Sequence, residues 1–221
     1  MTTTQGSRTL SRMREPIDAE TAIVHFREHD PALAALIAGL GPFEMRAAFE
    51  DPFLALARAI AFQQLSGKAA GTIFRRFLTL ADPEETGRLD PERVLSLRDE
   101  ELRSAGLSRQ KMAAIRDLAA HFARAELSTE LFEQWANEEI IEHLVRVRGV
   151  GRWTVEMYLM FQLGRPDVLP VNDIGVNRAI MKLHGLEAMP KPAEVRRIGE
   201  AWSPWATVAC WYLWRSEDGD S

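Results

Sequence analysis

Residues 144–154 read LVRVRGVGRWT. Ile140, Ile141, Leu144 and Val145 lead into this stretch on one face at helical spacing, and WTVEMYLMFQL (153–163) follows it as a second apolar run. The pattern predicts helix, tight turn, helix. Two glycines flank one apolar residue; glycine adopts positive φ freely and, lacking a Cβ, lets another group approach the backbone. Val150 between them is expected to anchor the turn in the core, with Arg146, Arg148 and Arg152 around it. Such a turn aims backbone N–H groups, together with the N-terminus of the second helix, at a phosphate. The plain alternative is a glycine-rich turn between two packed helices.

The rest of the chain also reads as helical. Asp51-Pro52 and Asp90-Pro91 each place a capping carboxylate before a proline at the first helical position. Ser66 and Ser108 are candidate caps, Asn137 is expected to cap EEIIEHLVRV, and Asn172 or Asp173 to cap the helix through IGVNRAIMKL. Leu131, Phe132 and Trp135 mark a further helix, and Ser203-Pro204 is expected to open the last one. The one extended piece, VLPV (168–171), is too short and proline-bound to found a sheet. The reading is an all-α protein of about ten helices. It falls into a leader (1–16), a helical lobe built from both ends of the chain (17–82 and 174–215), a central lobe (83–173) holding the hairpin, and a polar tail (216–221).

The 221 residues are 46% hydrophobic and 27% charged, too apolar for a disordered chain, and no apolar run reaches the ~18 residues of a membrane span. The first sixteen residues lack the apolar core of a secretory signal and read as a flexible polar leader. The net charge of −5 argues mildly against nucleic acid, but the charges are unevenly spread. Pro52–Ala81 and Leu144–Trp153 contain no acid, while the first holds Arg58, Lys68, Arg75 and Arg76 and the second three arginines. An acidic chain can therefore present a basic face to phosphate. One cysteine, Cys210, excludes an intramolecular disulfide and any cluster held by four thiolates, and fits a reducing compartment. It reads as a small buried apolar residue. The five histidines show no metal-ligand spacing.

The second chemical motif is LPVNDIGVNRA (169–179), with Asp173 about twenty residues beyond the hairpin. Aspartate is a preferred N-cap, which alone would account for it. The apolar VLPV before it would also shield a carboxylate, and a helix N-terminus favours the ionised form. A fixed carboxylate is what a developing sugar cation requires opposite it.

Hairpin and aspartate, in this order and spacing, resemble the helix-hairpin-helix DNA glycosylase superfamily, and within it the alkyladenine branch, DNA-3-methyladenine glycosylase II. The matching strings are RAIAFQQLSGKAA, GLSRQKMAAIRDLA, VRGVGRWTVEMYLM, LPVNDIGVNRA and WSPWATVACWYLW, spanning about Pro52 to Arg215. The resemblance implies the two-lobed glycosylase fold, here without the N-terminal sheet domain of many bacterial members and without the iron–sulfur cluster of other branches. It implies excision of alkylated purines, of the 3-methyladenine and 7-methylguanine type, from double-stranded DNA in base excision repair. Some branches carry a nucleophilic lysine after the hairpin where this chain has Trp153, which implies a monofunctional enzyme without AP-lyase activity.

Roles follow from the resemblance residue by residue. Asp173 matches the catalytic aspartate. Trp214 and Trp153 match pocket aromatics, and Phe62 and Met157 join them as candidates; Met157 stands where some relatives have tyrosine. Leu65, with Gln64 beside it, matches the wedge that enters the base stack, the alternative being a core leucine at a helix junction. Gly149, Gly151 and Thr154 match phosphate-binding groups, with Arg148 and Arg152 as DNA-binding candidates. The carbonyls of Val145, Val147 and Val150 match a site for a monovalent cation, Na+ or K+; no organic cofactor is implied. Trp202, Trp205, Trp211 and Trp214 are too many for one pocket, so one or two are expected to be functional and the rest to pack. The chain is expected to act as a monomer in the cytoplasm, associated with the nucleoid if bacterial. A glycosylase for oxidised or mismatched bases and a non-catalytic DNA-binding module remain the alternatives.

Overall fold

The computed structural model describes residues 17–45, 51–65, 67–127, 129 and 132–218, the side chain of Asp218 excepted. The leader, the Ser66 cap, Leu131 and residues 219–221 lie outside them. The described residues form twelve α-helices and no strand. These are α1 (Ala19–His29), α2 (Pro31–Ala38), α3 (Pro52–Phe62), α4 (Gly67–Ala81), α5 (Pro91–Ser96), α6 (Asp99–Ser104), α7 (Arg109–Ala123), α8 (Asn137–Leu144), α9 (Arg152–Phe161), α10 (Ile174–Leu183), α11 (Pro192–Gly199) and α12 (Ala206–Asp218). A 3₁₀ turn, Glu200–Trp202, links the last two.

The predicted carboxylate caps form as hydrogen bonds. Asp51 accepts from Leu54 N, Asp90 from Glu92 N and Asp173 from Val176 N; each such cap is worth about 1 kcal/mol. Three local expectations are corrected. Asn137 is the first residue of α8 rather than its cap: the Glu139 carboxylate accepts from Ala136 N, freeing the Asn137 amide to donate to Asp167 O. Phe132 and Trp135 lie in a turn, where the Arg165 guanidinium donates to both of their carbonyls in place of helical N–H groups. The last helix starts at Ala206, not at Ser203-Pro204, because Asp167 accepts from Ala206 N and from the Ser203 hydroxyl.

Helix α3 is buried almost all round, through Phe53, Leu54, Leu56, Ile60 and Ala61. Each of its large apolar side chains contributes about 1.5–3 kcal/mol by leaving water. It packs on α4, α7 and α9, so α3 and α4 join the helices of the central stretch across the boundary drawn at residue 82. The ends of the chain meet elsewhere: α2 packs on α10 and α12, and the buried Trp202 indole donates to Asp30, the cap of α2, at 2.8 Å. Helix α12 runs three residues into the segment read as tail, and Glu217 pairs with Lys182 of α10 at 2.9 Å. Cys210, on α12, is fully buried with its sulfur facing Val168 O.

Candidate DNA-lesion site

The site is assembled by the loop 165–173. Thr207 at the start of α12 donates to Arg165 O and accepts from Val168 N, and Asp167 caps the same helix. Asn177 donates to Val171 O, and Asp173 N to Pro170 O. The loop is thus pinned at both ends, and α12 hangs from the strap that carries the aspartate. Two turns along α12, Trp214 meets Asp173.

Asp173 is 8% exposed and its carboxylate accepts three hydrogen bonds, all at 2.8 Å. Oδ1 takes Val176 N and the Trp214 indole N–H; Oδ2 takes the Trp153 indole N–H. Both tryptophans therefore turn their polar edges to the aspartate. The Trp214 ring is stacked on Phe161, centroids 5.9 Å apart at 25°. Phe161 in turn lines an apolar cavity of about 210 Å³ with Phe62, Met157, Arg58 and Ala59. That is smaller than the ~300–1,000 Å³ of sites for drug-sized ligands, the scale of a single ring system. Phe62 and Met157 thus share the cavity, and Phe161 connects it to the tryptophan on the acid.

The hairpin consists of α8, the turn at 145–151 and α9. Val147 and Val150 are buried, anchoring the turn as expected. Gly149 has φ +77°, the left-handed region that favours glycine. Gly151 differs: it is the N-cap of α9 at φ −91°, ψ 167°, a conformation open to any residue. Among the described residues no side chain caps α9, and the N–H groups of its first turn point out of the helix without an intrahelical partner. Thr154 is buried and its hydroxyl accepts from Gln63 Nε2, which also donates to Gly149 O. With the hydroxyl so engaged, only its backbone N–H is left to face an anion. The carbonyls of Val145, Val147 and Val150 sit on this turn. Val147 O accepts from Val150 N at 3.0 Å and keeps a second lone pair, so uncharged oxygen donors of the kind a monovalent cation takes are present.

Gln63 ties the hairpin to the tip between α3 and α4. Lys111 of α7 holds the base of that tip, its ammonium donating to Ala61 O at 2.6 Å and Gln63 O at 2.9 Å; burial lowers its pKa below the ordinary lysine value. At the apex Gln64 has φ +56° and Leu65 is 41% exposed, so Leu65 is not a core leucine.

Arg152 stands apart from the other arginines. Its guanidinium meets Glu138 in a two-pronged pair, both contacts 2.6 Å, and its Nε donates to Glu156 at 3.1 Å. Burial pushes the Glu156 carboxyl above the usual glutamate range, with Arg152 opposing the shift. The charge of Arg152 is thereby committed to acids on α8 and α9, while the side chains of Arg146 and Arg148 are exposed. Of the C-terminal tryptophans, Trp202 is core, Trp211 packs edge-on against Phe43 and Tyr212, and Trp214 alone reaches the aspartate. Gln63, Lys111, Glu156 and Phe161 were not singled out from the sequence. Only Phe161 left a signal there, one turn after Met157 in the same stripe.

The family model for HhH-GPD superfamily base excision DNA repair proteins matches residues 57–204. DNA-3-methyladenine glycosylase 1 of Schizosaccharomyces pombe is 34% identical over 198 residues, 88% of this chain and 86% of that protein. A solved structure of a Schizosaccharomyces pombe 3-methyladenine DNA glycosylase, in complex with abasic DNA, superposes with a TM-score of 0.76 at 33% identity, covering 90% of this chain and 97% of that one. A DNA-3-methyladenine glycosidase from Bacillus halodurans gives 0.79 at 34%, covering 88% of each chain. By the family model and by these relatives alike, the chain belongs to the HhH-GPD superfamily of base excision DNA repair proteins.

Proposed function

We propose that the chain is a monofunctional DNA glycosylase that flips alkylated purines, such as 3-methyladenine and 7-methylguanine, out of duplex DNA and hydrolyses their glycosidic bonds. The observation that carries this reading is Asp173, held by two indole N–H groups and a helix N-terminus, with one of those indoles stacked on Phe161 of the aromatic cavity. The relatives named as 3-methyladenine glycosylases support the substrate class.

The first turn of α9 and the left-handed turn at Gly149 grip a backbone phosphate through N–H groups, with Arg148 adding charge. The carbonyls of Val145, Val147 and Val150 would hold a Na+ or K+ ion, which when bound would supply a further positive charge toward that phosphate. Gln64 and Leu65 fill the gap in the stack, offsetting the few kcal/mol that extrusion costs. The flipped base enters the cavity of Phe62, Met157 and Phe161, where a cationic alkylpurine is attracted to aromatic faces. The bond from C1′ to the ring nitrogen breaks with its electron pair going to the purine, which leaves neutral. Asp173 stabilises the resulting oxocarbenium ion. Water then attacks C1′ and gives its proton to the carboxylate and on to solvent, so no strong general acid is needed. The products are a free base and an abasic site. The enzyme acts as a monomer on chromosomal DNA, in the cytoplasm of the cell if that cell is bacterial.

The test is release of free bases from methylated duplex DNA, identified by mass, for the wild type and Asp173→Asn together. The asparagine side chain keeps the capping oxygen and removes the charge. Excision should be nearly abolished while DNA binding, which rests on phosphate contacts, is retained. An Asp173→Asn variant that excises at the wild-type rate refutes the reading.

A further inference from the structure

Gly175 is the second residue of α10, two positions after Asp173. Glycine inside a helix costs up to ~1 kcal/mol relative to alanine, and the φ of Gly175 lies outside the left-handed region. Conformation therefore does not call for glycine here. Space does. A Cβ at Gly175 would sit 3.0 Å from Trp214 Cδ1, 3.2 Å from Trp214 Nε1 and 3.2 Å from Asp173 Oδ1. Ordinary contacts between carbon atoms begin at about 3.5 Å. Two of these neighbours are the donor and acceptor of one hydrogen bond, the 2.8 Å contact from the Trp214 indole to Asp173, and the third is the carbon bonded to the donor. The indole cannot simply back away, because it is stacked on Phe161.

We propose that Gly175 is a positioning residue for base excision: it leaves the gap through which the edge of Trp214 reaches Asp173, and so sets the aim of the carboxylate. The inference rests on Asp173 being the catalytic group. Without the Trp214 contact, Oδ1 is held by Val176 N–H alone, and Oδ2 by Trp153, a ring that is 44% exposed. A methyl group at position 175 pushes the indole or the carboxylate by a few tenths of an ångström, and either movement disturbs the line between acid and sugar. Trp214 then serves the reaction twice, through its ring stacked on Phe161 of the cavity wall and through its N–H on the acid.

The experiment compares wild type, Gly175→Ala, Trp214→Phe, the double variant and Asp173→Asn. Single-turnover excision is measured on methylated duplex DNA, and affinity on a duplex carrying a stable abasic-site analogue. Gly175→Ala should excise about tenfold more slowly, the scale of one hydrogen bond to a charged group. Its DNA affinity should stay within about twofold of wild type. Its melting temperature should fall by only a few degrees, since the better helix propensity of alanine offsets part of the strained contact. The indole N–H resonance of Trp214, assigned by its loss in Trp214→Phe, should move as it does in Asp173→Asn. In the Trp214→Phe background the alanine should add little further loss, because the indole N–H bond to Asp173 that it disturbs is already absent. A wild-type rate, an unmoved indole resonance, or the same loss in both backgrounds overturns the proposal. Active Asp173→Asn would instead sink the underlying assignment, so the two failures are distinguishable.

Discussion

Replacing Gly149 and Gly151 by alanine, one at a time, separates what the hairpin needs in order to fold from what it needs in order to bind. At Gly149 (φ +77°) an alanine is forced into the left-handed region, at about 1–2 kcal/mol. Its Cβ would also lie 3.0 Å from the Ala114 Cβ on α7, so the two helices must part slightly. The reduced entropy of the unfolded chain returns about 0.4–1 kcal/mol. A net loss of about 1–2 kcal/mol corresponds to a fall in Tm of roughly 2–8 °C for a chain of this size. At Gly151 (φ −91°) alanine is conformationally ordinary and its Cβ meets nothing within 4 Å, so the Tm should hold or rise by about 1–3 °C. In the proposed mode of binding, that open space is where a phosphate approaches the uncapped first turn of α9. Gly151→Ala should therefore weaken binding to any duplex by about tenfold and lower the salt slope by about one ion. Thermal unfolding followed by circular dichroism, with fluorescence anisotropy across a salt series, reads both effects. Equal thermal losses in the two variants, or full DNA affinity in Gly151→Ala at physiological salt, would refute this division of labour.

Arg152→Gln removes the cation that opposes the burial shift of Glu156, while Glu138 and Asp173 remain as negative neighbours. The folded-state pKa of Glu156 then climbs further, and an acid whose pKa is raised on folding loses stability as pH rises from its unfolded value toward its folded one. The variant's deficit, about 1–3 kcal/mol at neutral pH, should shrink toward pH 5 in urea titrations; a deficit independent of pH would count against it. Exchanging Na+ and K+ for tetramethylammonium at constant ionic strength should weaken duplex binding about fivefold, and unchanged affinity would remove the cation from the hairpin. Borohydride should trap no covalent protein–DNA adduct during base release, because a Schiff base needs an amine at the sugar and Trp153 has none; an adduct at substantial yield would show lyase chemistry.

Helix starts were the most legible part of the chain. A cap such as Asp51, Asp90 or Asp173 is a local device whose donor lies within three residues, so spacing alone reveals it. The corrections arise where the cap comes from afar: Asp167 caps α12 across 39 residues, and Arg165 satisfies the carbonyls of Phe132 and Trp135 across about thirty. The site was legible as a set of residues and illegible as geometry. Sequence placed Trp153 and Trp214 near the lesion, but an indole has a face and an edge, and only packing decides which one meets Asp173. Arg152 read as one of three hairpin cations because Glu138, its partner, sits fourteen residues upstream on the opposite helix. The two glycines read alike, although one is needed for its φ and the other caps a helix in an ordinary conformation.

A catalyst that repairs alkylated DNA works while the alkylating agent is still present, and proteins offer such agents a better target than purines do. The sulfur nucleophile in a protein is the thiolate, and its formation depends on pKa and access. This chain has one thiol, Cys210, which is fully buried on α12 against Val168 O. Burial raises its pKa well above the ordinary cysteine value, with Asp173 and Glu156 adding to the shift. In the folded protein the thiolate is disfavoured and the sulfur is closed off from solvent. The helix that holds Trp214 against Asp173 thus withholds its own sulfur from the electrophile for as long as the helix stays packed.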